Sequence, residues 1–189
     1  ILGFKRYDEF KTIYKKAASQ MPVSNFTSHA KDLLNENHNN PFTDAEANVY
    51  KSLSGAFNEK TYKAIDSSVE KLMKAETVYI LGMRSSFSMA FYLHYLLHFI
   101  LPKTKLIRGQ EGMLLSEISQ INANDVVIVF GASPLSLETT KALDKIKKRE
   151  AFIIVATDMY TSQAASNADI IVALGNETLN FLPSILPYA

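Results

Sequence analysis

From residue 77 onward, short aliphatic and β-branched runs alternate with helical segments, and this alternation constrains the fold more than any other feature. The runs are TVYIL at 77–81, TKLI at 104–107, DVVIVF at 125–130, FIIVAT at 152–157 and DIIVAL at 169–174. Apolar residues at consecutive rather than alternate positions mean strands shielded from water on both faces, the pattern of a parallel sheet. Helical segments are expected near 86–100, 111–119, 135–148, 162–167 and from 178 onward. Crossovers between parallel strands are right-handed. The expected architecture is therefore α/β: a doubly wound, three-layer αβα sandwich around a five-stranded parallel sheet, preceded by N-terminal helices.

Upstream of the alternation the period is helical. Tyr7, Phe10, Tyr14 and Ala17 recur at spacings of three, four and three, with Lys5, Arg6, Lys11, Lys15 and Lys16 around them. That is a short amphipathic helix. Residues 61–74 repeat the stripe with Tyr62, Ile65, Val69 and Leu72. Between the two, NENHNNP at 35–41 is polar and turn-rich, which places the expected boundary there: linker helices over 1–40 and an α/β domain over 41–189. The chain opens on Ile1-Leu2-Gly3 and stops at LPSILPYA inside an apolar pattern, so it reads as a fragment with its last helix cut short.

Composition removes several function classes. A chain of 189 residues with 47% hydrophobic and 21% charged residues is globular, with room for a sizeable core. A formal net charge of +1 gives no electrostatic case for nucleic-acid binding by these residues. The absence of cysteine excludes disulfides, thiolate catalysis and Cys-ligated zinc. Nothing at the start resembles a signal peptide, so the expected location is cytoplasmic. The longest apolar block, 90–101, is broken by His94 and His98 and falls short of the roughly 20 residues a bilayer needs. No membrane contact and no cofactor are expected.

In an open α/β sheet, ligands bind beyond the carboxyl ends of the strands, where helix N-termini converge. Three loops matter on that ground: 82–86 (GMRSS), 131–136 (GASPLS), and Thr157-Asp158. In the second, Ser133-Pro134 reads as a helix N-cap followed by the first helical residue, where a missing N–H is harmless. Free N–H groups at Leu135 and Ser136, two hydroxyls and the helix dipole are what a phosphate requires, although Ser133 equally well does no more than cap. The first loop holds a lone Gly82 where a dinucleotide site needs three glycines. Ser85 and Ser86 suit a compact phosphate or sugar hydroxyls instead. Arg84 either adds a charge-assisted contact or points to solvent.

These loops, in order and spacing, resemble those of the sugar isomerase (SIS) domain family over roughly residues 60–189. Its first motif, Gly-x-Gly-x-Ser, corresponds to Gly82, Arg84 and Ser86. Its second, Ser-x-Ser-Gly-x-Thr-x-Glu, corresponds to Gly131, Ser133, Pro134, Ser136 and Glu138. Its third is matched by Thr157, Asp158, Ser162, Ala168 and Asp169. The resemblance implies phosphosugar binding, with the hydroxyls of Ser86, Ser133 and Ser136 on the phosphate and Ser85 nearby. It departs at three places: Gly131 stands where a serine is usual, and Pro134 and Arg84 each stand where a glycine is usual. The string LGFKRYDEFK at 2–11 is similar to the segment closing the helix-turn-helix domain of RpiR-type transcriptional regulators. That likeness implies a DNA-binding domain upstream of Ile1, so that DNA is contacted only through a domain absent from this chain.

Other constellations carry less. His94 and His98 share one helix face, as zinc ligands can, but a core or interface role, or contact with the ligand, fits better. Glu138 and Glu111 stand near the expected pocket, each with a structural and a functional reading. Tyr92, Tyr95 and Phe99 read as core or dimer packing, and the resemblance to SIS domains, which usually dimerise through helices, implies a homodimer or higher homo-oligomer with the apolar helix at 87–101 as its face. Three functions remain: a phosphosugar-sensing effector domain of a regulator of carbohydrate metabolism, a phosphosugar isomerase, and a dimerisation module with a relic site. The sensor is preferred, because the segment at 2–11 suggests it and no acid/base pair stands out among Glu111, Glu138, His94 and His98.

Overall fold

The five aliphatic runs form five parallel strands of one sheet. They are β1 (Val78–Gly82), β2 (Thr104–Ile107), β3 (Val126–Phe130), β4 (Phe152–Thr157) and β5 (Ile170–Ala173), in the order β2-β1-β3-β4-β5. In this computed structural model, residues 41–132 and 135–174 are described. The expected helices at 7–17 and from 178 onward, the turn-rich stretch 35–40, and Ser133-Pro134 lie outside them.

β1 and β3 are buried at every position, whereas the edge strands β2 and β5 are partly exposed. Their register runs from Val78 opposite Val126 to Gly82 opposite Phe130, so the two central strands end level. Alternate residues feed opposite faces of the sheet. Tyr79, Leu81, Val127, Val129, Ile153 and Val155 pack on one side under α4 (Leu114–Ser119) and α5 (Leu137–Lys147). Val78, Ile80, Val126, Ile128 and Ile154 pack on the other, under α2 (Glu59–Lys74) and α3 (Phe87–Ile100). This is the expected three-layer αβα sandwich. Asp125, buried just before β3, is satisfied by the backbone N–H groups of Thr77 at 3.0 Å and Asn122 at 2.9 Å, and so ties the starts of β1 and β3 together.

Three elements differ from expectation. A helix that the sequence pattern does not announce, α1 (Pro41–Ala56), precedes α2, and Asn58 caps α2 by accepting from Lys60 N and Thr61 N, both at 3.0 Å. Of the apolar stripe of α2 only Leu72 turns to the core: Tyr62, Ile65 and Val69 are 47%, 43% and 50% exposed, as is neighbouring Met73 at 62%. Its buried side carries Thr61, Ala64, Ser68 and Leu72, and the two hydroxyls bond carbonyls, Thr61 reaching Ala173 O at 3.1 Å and Ser68 reaching Ala64 O at 2.7 Å. Finally, the helix expected at 162–167 is a single 3₁₀ turn, Ala165–Asn167.

Candidate functional site

The chain leaves β1 toward β2 on one side and returns to β3 on the other, so the direction of winding reverses between β1 and β3. A crevice opens at such a reversal, beyond the carboxyl ends of the two strands. The loops that begin at Gly82 and Gly131 flank it.

Gly82 is required by packing. A Cβ there would stand 2.3 Å from the carbonyl oxygen of Ser86 and 2.9 Å from the Cβ of Ala90. The missing side chain lets the turn Arg84–Ser86 fold back onto the strand end and start α3. Within that turn Arg84 has φ +57°, the left-handed region that L side chains disfavour. Ser86 is buried, helical in backbone (φ −68°, ψ −13°), and its hydroxyl makes no capping bond. Ser85 is exposed, and its carbonyl accepts from the hydroxyl of Ser88 at 2.8 Å.

The second loop is arranged differently. Gly131 is buried and donates to Ala156 O at 3.0 Å, with Leu135 folded against it. The helix begins at Leu137, and its cap is Ser136 rather than the expected Ser133. Ser136 is extended (φ −69°, ψ 151°), the geometry from which a hydroxyl reaches the N–H three residues on. Its Oγ accepts from Thr139 N at 3.1 Å and lies 2.9 Å from Thr139 Oγ1. The N–H groups at the positive end of the helix are therefore those of Leu137 and Glu138, not Leu135 and Ser136. Glu138 is exposed at that same end. Its own backbone N–H first, then the Ser136 hydroxyl and the charges of Arg84 and Lys141, hold its carboxyl below the ordinary carboxylate value, against an opposing effect of desolvation.

The third cluster is structural. Thr157 Oγ1 lies 2.9 Å from Asp158 Oδ1 and 2.8 Å from Ser162 Oγ, all three residues being buried. Asp158 Oδ1 also accepts from Met159 N, and Ser162 Oγ from Ala165 N. Asp169 pairs with Ile153 through both its N–H and its carboxylate, at 2.8 and 2.7 Å, and so holds β5 against β4. This network sets the loop after β4 rather than presenting groups to solvent.

Residues 71–182, more than half of the chain, match the SIS domain. The chain belongs to the SIS domain family. No protein of curated function matches it by sequence. Among solved structures, this SIS domain is similar to the sugar isomerase domain of an RpiR transcription factor from Sphaerobacter thermophilus, at 20% identity and TM-score 0.72 over 78% of this chain and 83% of that one. The NanR protein of Vibrio vulnificus, complexed with ManNAc-6P, matches at 17% identity and TM-score 0.68 over 98% of this chain and 63% of that one. A protein of Methanococcus jannaschii, for which a 3-hexulose-6-phosphate isomerase function is inferred, matches at 15% and 0.64 over 77% and 80%. At these identities the likeness is one of fold.

Membership gives the first loop a physical explanation. The family motif has glycine where this SIS domain has Arg84, and the left-handed backbone at that position is the conformation glycine adopts without strain. Glu111, which the sequence placed near the pocket edge, is also left-handed (φ 52°) and exposed, between Gly109 and Gly112 in the loop after β2. His94 and His98 stand away from both serine loops, their ring centroids 5.7 Å apart, and line a cavity along β2 instead. No helix among the described residues is long and apolar enough to cross a membrane.

Proposed function

We propose that this SIS domain is the phosphosugar-sensing effector domain of a transcriptional regulator of carbohydrate metabolism. One observation carries the reading: two serine-bearing helix starts follow adjacent, level strands at the point where the sheet reverses its winding. In this reading Ser86 gives its uncapped hydroxyl to the phosphate, the start of α5 faces it across the crevice, and Ser133 supplies a second hydroxyl. Arg84 supplies charge, Ser85 lies at the rim, and Gly131 keeps the floor low. Ser136 acts by holding the helix start, and Glu138 takes a sugar hydroxyl. The likeness to a domain of an RpiR transcription factor supports a regulator, and the ManNAc-6P bound to the Vibrio vulnificus NanR protein supports a phosphosugar ligand. DNA contact then belongs to a helix-turn-helix domain outside these residues, with 1–40 as linker and 41–189 as the sensing domain.

The alternative is a phosphosugar isomerase, as inferred for the Methanococcus jannaschii protein. Isomerisation needs a base whose pKa lies near the working pH. Glu138 is a poor candidate, since its surroundings hold its carboxyl below the ordinary value. A homodimer through α3 completes the proposal, because Tyr92, Tyr95 and Phe99 present an outward aromatic face with Tyr95 and Phe99 edge to face at 5.1 Å. The test is a thermal-shift panel of sugar phosphates and N-acetylamino-sugar phosphates, each assayed for conversion. A ligand at a hundredfold its Kd adds about 2.7 kcal/mol of stability. A shift without turnover is expected, turnover establishes the isomerase, and no shift with any compound contradicts both.

A further inference from the structure

The two serine loops carry opposite charges, Arg84 after β1 and Glu138 in the first turn of α5, and both residues are exposed. The loops are anchored side by side. β1 and β3 end level, and Met83 and Leu135, which precede the charged residues, pack against the same core cluster on one face of the sheet. We propose that Arg84 and Glu138 form a charge pair across the crevice that a phosphate ester opens by exchange, its phosphate replacing the Glu138 carboxylate beside Arg84 and freeing that carboxylate for a sugar hydroxyl. This exchange rests on the phosphosugar reading above and adds to it a selection for the charge of the ligand.

Three observations converge on the pair. Arg84 keeps a charged side chain on a left-handed backbone (φ +57°), where the family motif has glycine. Residues held in that region cluster at ligand clamps and switches. Secondly, charge acts between the loops. Arg84 is among the groups that hold the Glu138 carboxyl below its ordinary value, after the backbone N–H and the Ser136 hydroxyl and together with Lys141 of the next turn. Thirdly, the pair parts easily. Both groups stand in solvent, where an ion pair contributes little. A phosphate ester carries about −1.5 to −2 charges and three acceptor oxygens, against one charge and two oxygens on the carboxylate. A guanidinium matches phosphate with two parallel N–H bonds, and the uncapped hydroxyl of buried Ser86, in the same turn as Arg84, adds a further donor. The phosphate therefore wins Arg84. A neutral sugar offers nothing to displace Glu138, and a single carboxylate gains no charge in the exchange.

The full chain, titrated with inorganic phosphate and separately with ManNAc-6P at constant ionic strength and pH, tests the exchange through the Nε–Hε correlation of Arg84 and the side-chain carboxyl carbon of Glu138. Saturable movement of both signals with at least one probe is expected. Arg84→Gly, which places there the residue a left-handed backbone favours, should fold normally and bind at least tenfold more weakly. Its Glu138 carboxyl should titrate at a higher pH than in the wild type. Glu138→Gln removes the competing carboxylate and should bind inorganic phosphate at least threefold more tightly. An affinity in Arg84→Gly equal to that of the wild type, an unchanged Glu138 titration in that variant, or phosphate binding no tighter in Glu138→Gln overturns the exchange. Binding lost in Ser86→Ala but kept in Arg84→Gly removes the exchange and leaves the phosphosugar reading standing. Failure of the wild type to bind phosphate, ManNAc-6P or any other sugar phosphate of the panel removes both.

Discussion

After β1 the chain leaves Gly82 and enters α3 through Ser86, whose hydroxyl caps nothing; after β3 it leaves Gly131 and enters α5 through Ser136, whose hydroxyl caps Thr139. The two loops have similar residues and sit side by side, yet the serines do different work. The cause is local backbone. Ser136 is extended and so can aim its oxygen back at the helix, whereas Ser86 is already helical, wound into the 3₁₀ turn that Gly82 admits. A hydroxyl at a helix start thus caps the helix or does not according to the ψ of its own residue. Counting serines in a motif does not separate the two.

The comparison can be broken first at its glycines. Gly82→Ala should cost about 3 kcal/mol, because its Cβ meets a backbone oxygen at 2.3 Å that cannot yield without unwinding the turn. Gly131→Ala should cost about 1 kcal/mol, since its Cβ meets side-chain carbons of Leu135 and Ala164 at 3.0 and 3.1 Å. Urea denaturation of both variants measures the gap, and equal losses would remove the distinction between the loops. The serines come next. Ser136→Ala should lose about 1 kcal/mol with the cap, and Ser86→Ala less than about 0.5 kcal/mol, read from the same midpoints. Arg84→Gly should raise stability by about 0.5 kcal/mol: relief of a left-handed residue is worth roughly 1–2 kcal/mol, offset by the greater freedom of glycine in the unfolded chain. The smallest effect is that of pH on Glu138. Its carboxyl is depressed in the folded state, so its contribution to stability is present above the ordinary carboxylate pKa and disappears as pH falls through the folded value. Wild type and Glu138→Gln should differ near neutral pH and converge in acid, as followed by thermal melts.

The strands were readable because burial on both faces leaves β1 and β3, and β4 up to its last residue Thr157, without a Ser, Thr, amide or charged side chain, and such runs have few other places in a fold. The helices were less so. Period 3.6 shows that α2 has an apolar stripe but not which way it turns. The helix buries Thr61, Ala64, Ser68 and Leu72, the two hydroxyls being satisfied by carbonyls, and Tyr62, Ile65 and Val69 go outward. In the string Ser133-Pro134-Leu135-Ser136 the proline rule pointed to the wrong cap: Leu135 packs against the core, and the helix waits for Ser136. The left-handed Arg84 had a signal, the glycine the family motif carries there.

In the proposed function a phosphosugar sits between the two serine loops, with Ser86 as its hydroxyl donor. Backbone amide spectra of the wild type and Ser86→Ala, titrated with ManNAc-6P and the other sugar phosphates of the panel, test it most directly. Saturable shifts confined to the loops after β1 and β3 are expected, with binding at least tenfold weaker in Ser86→Ala at unchanged stability. Equal affinity in the two proteins, or shifts centred elsewhere in the fold, would contradict it.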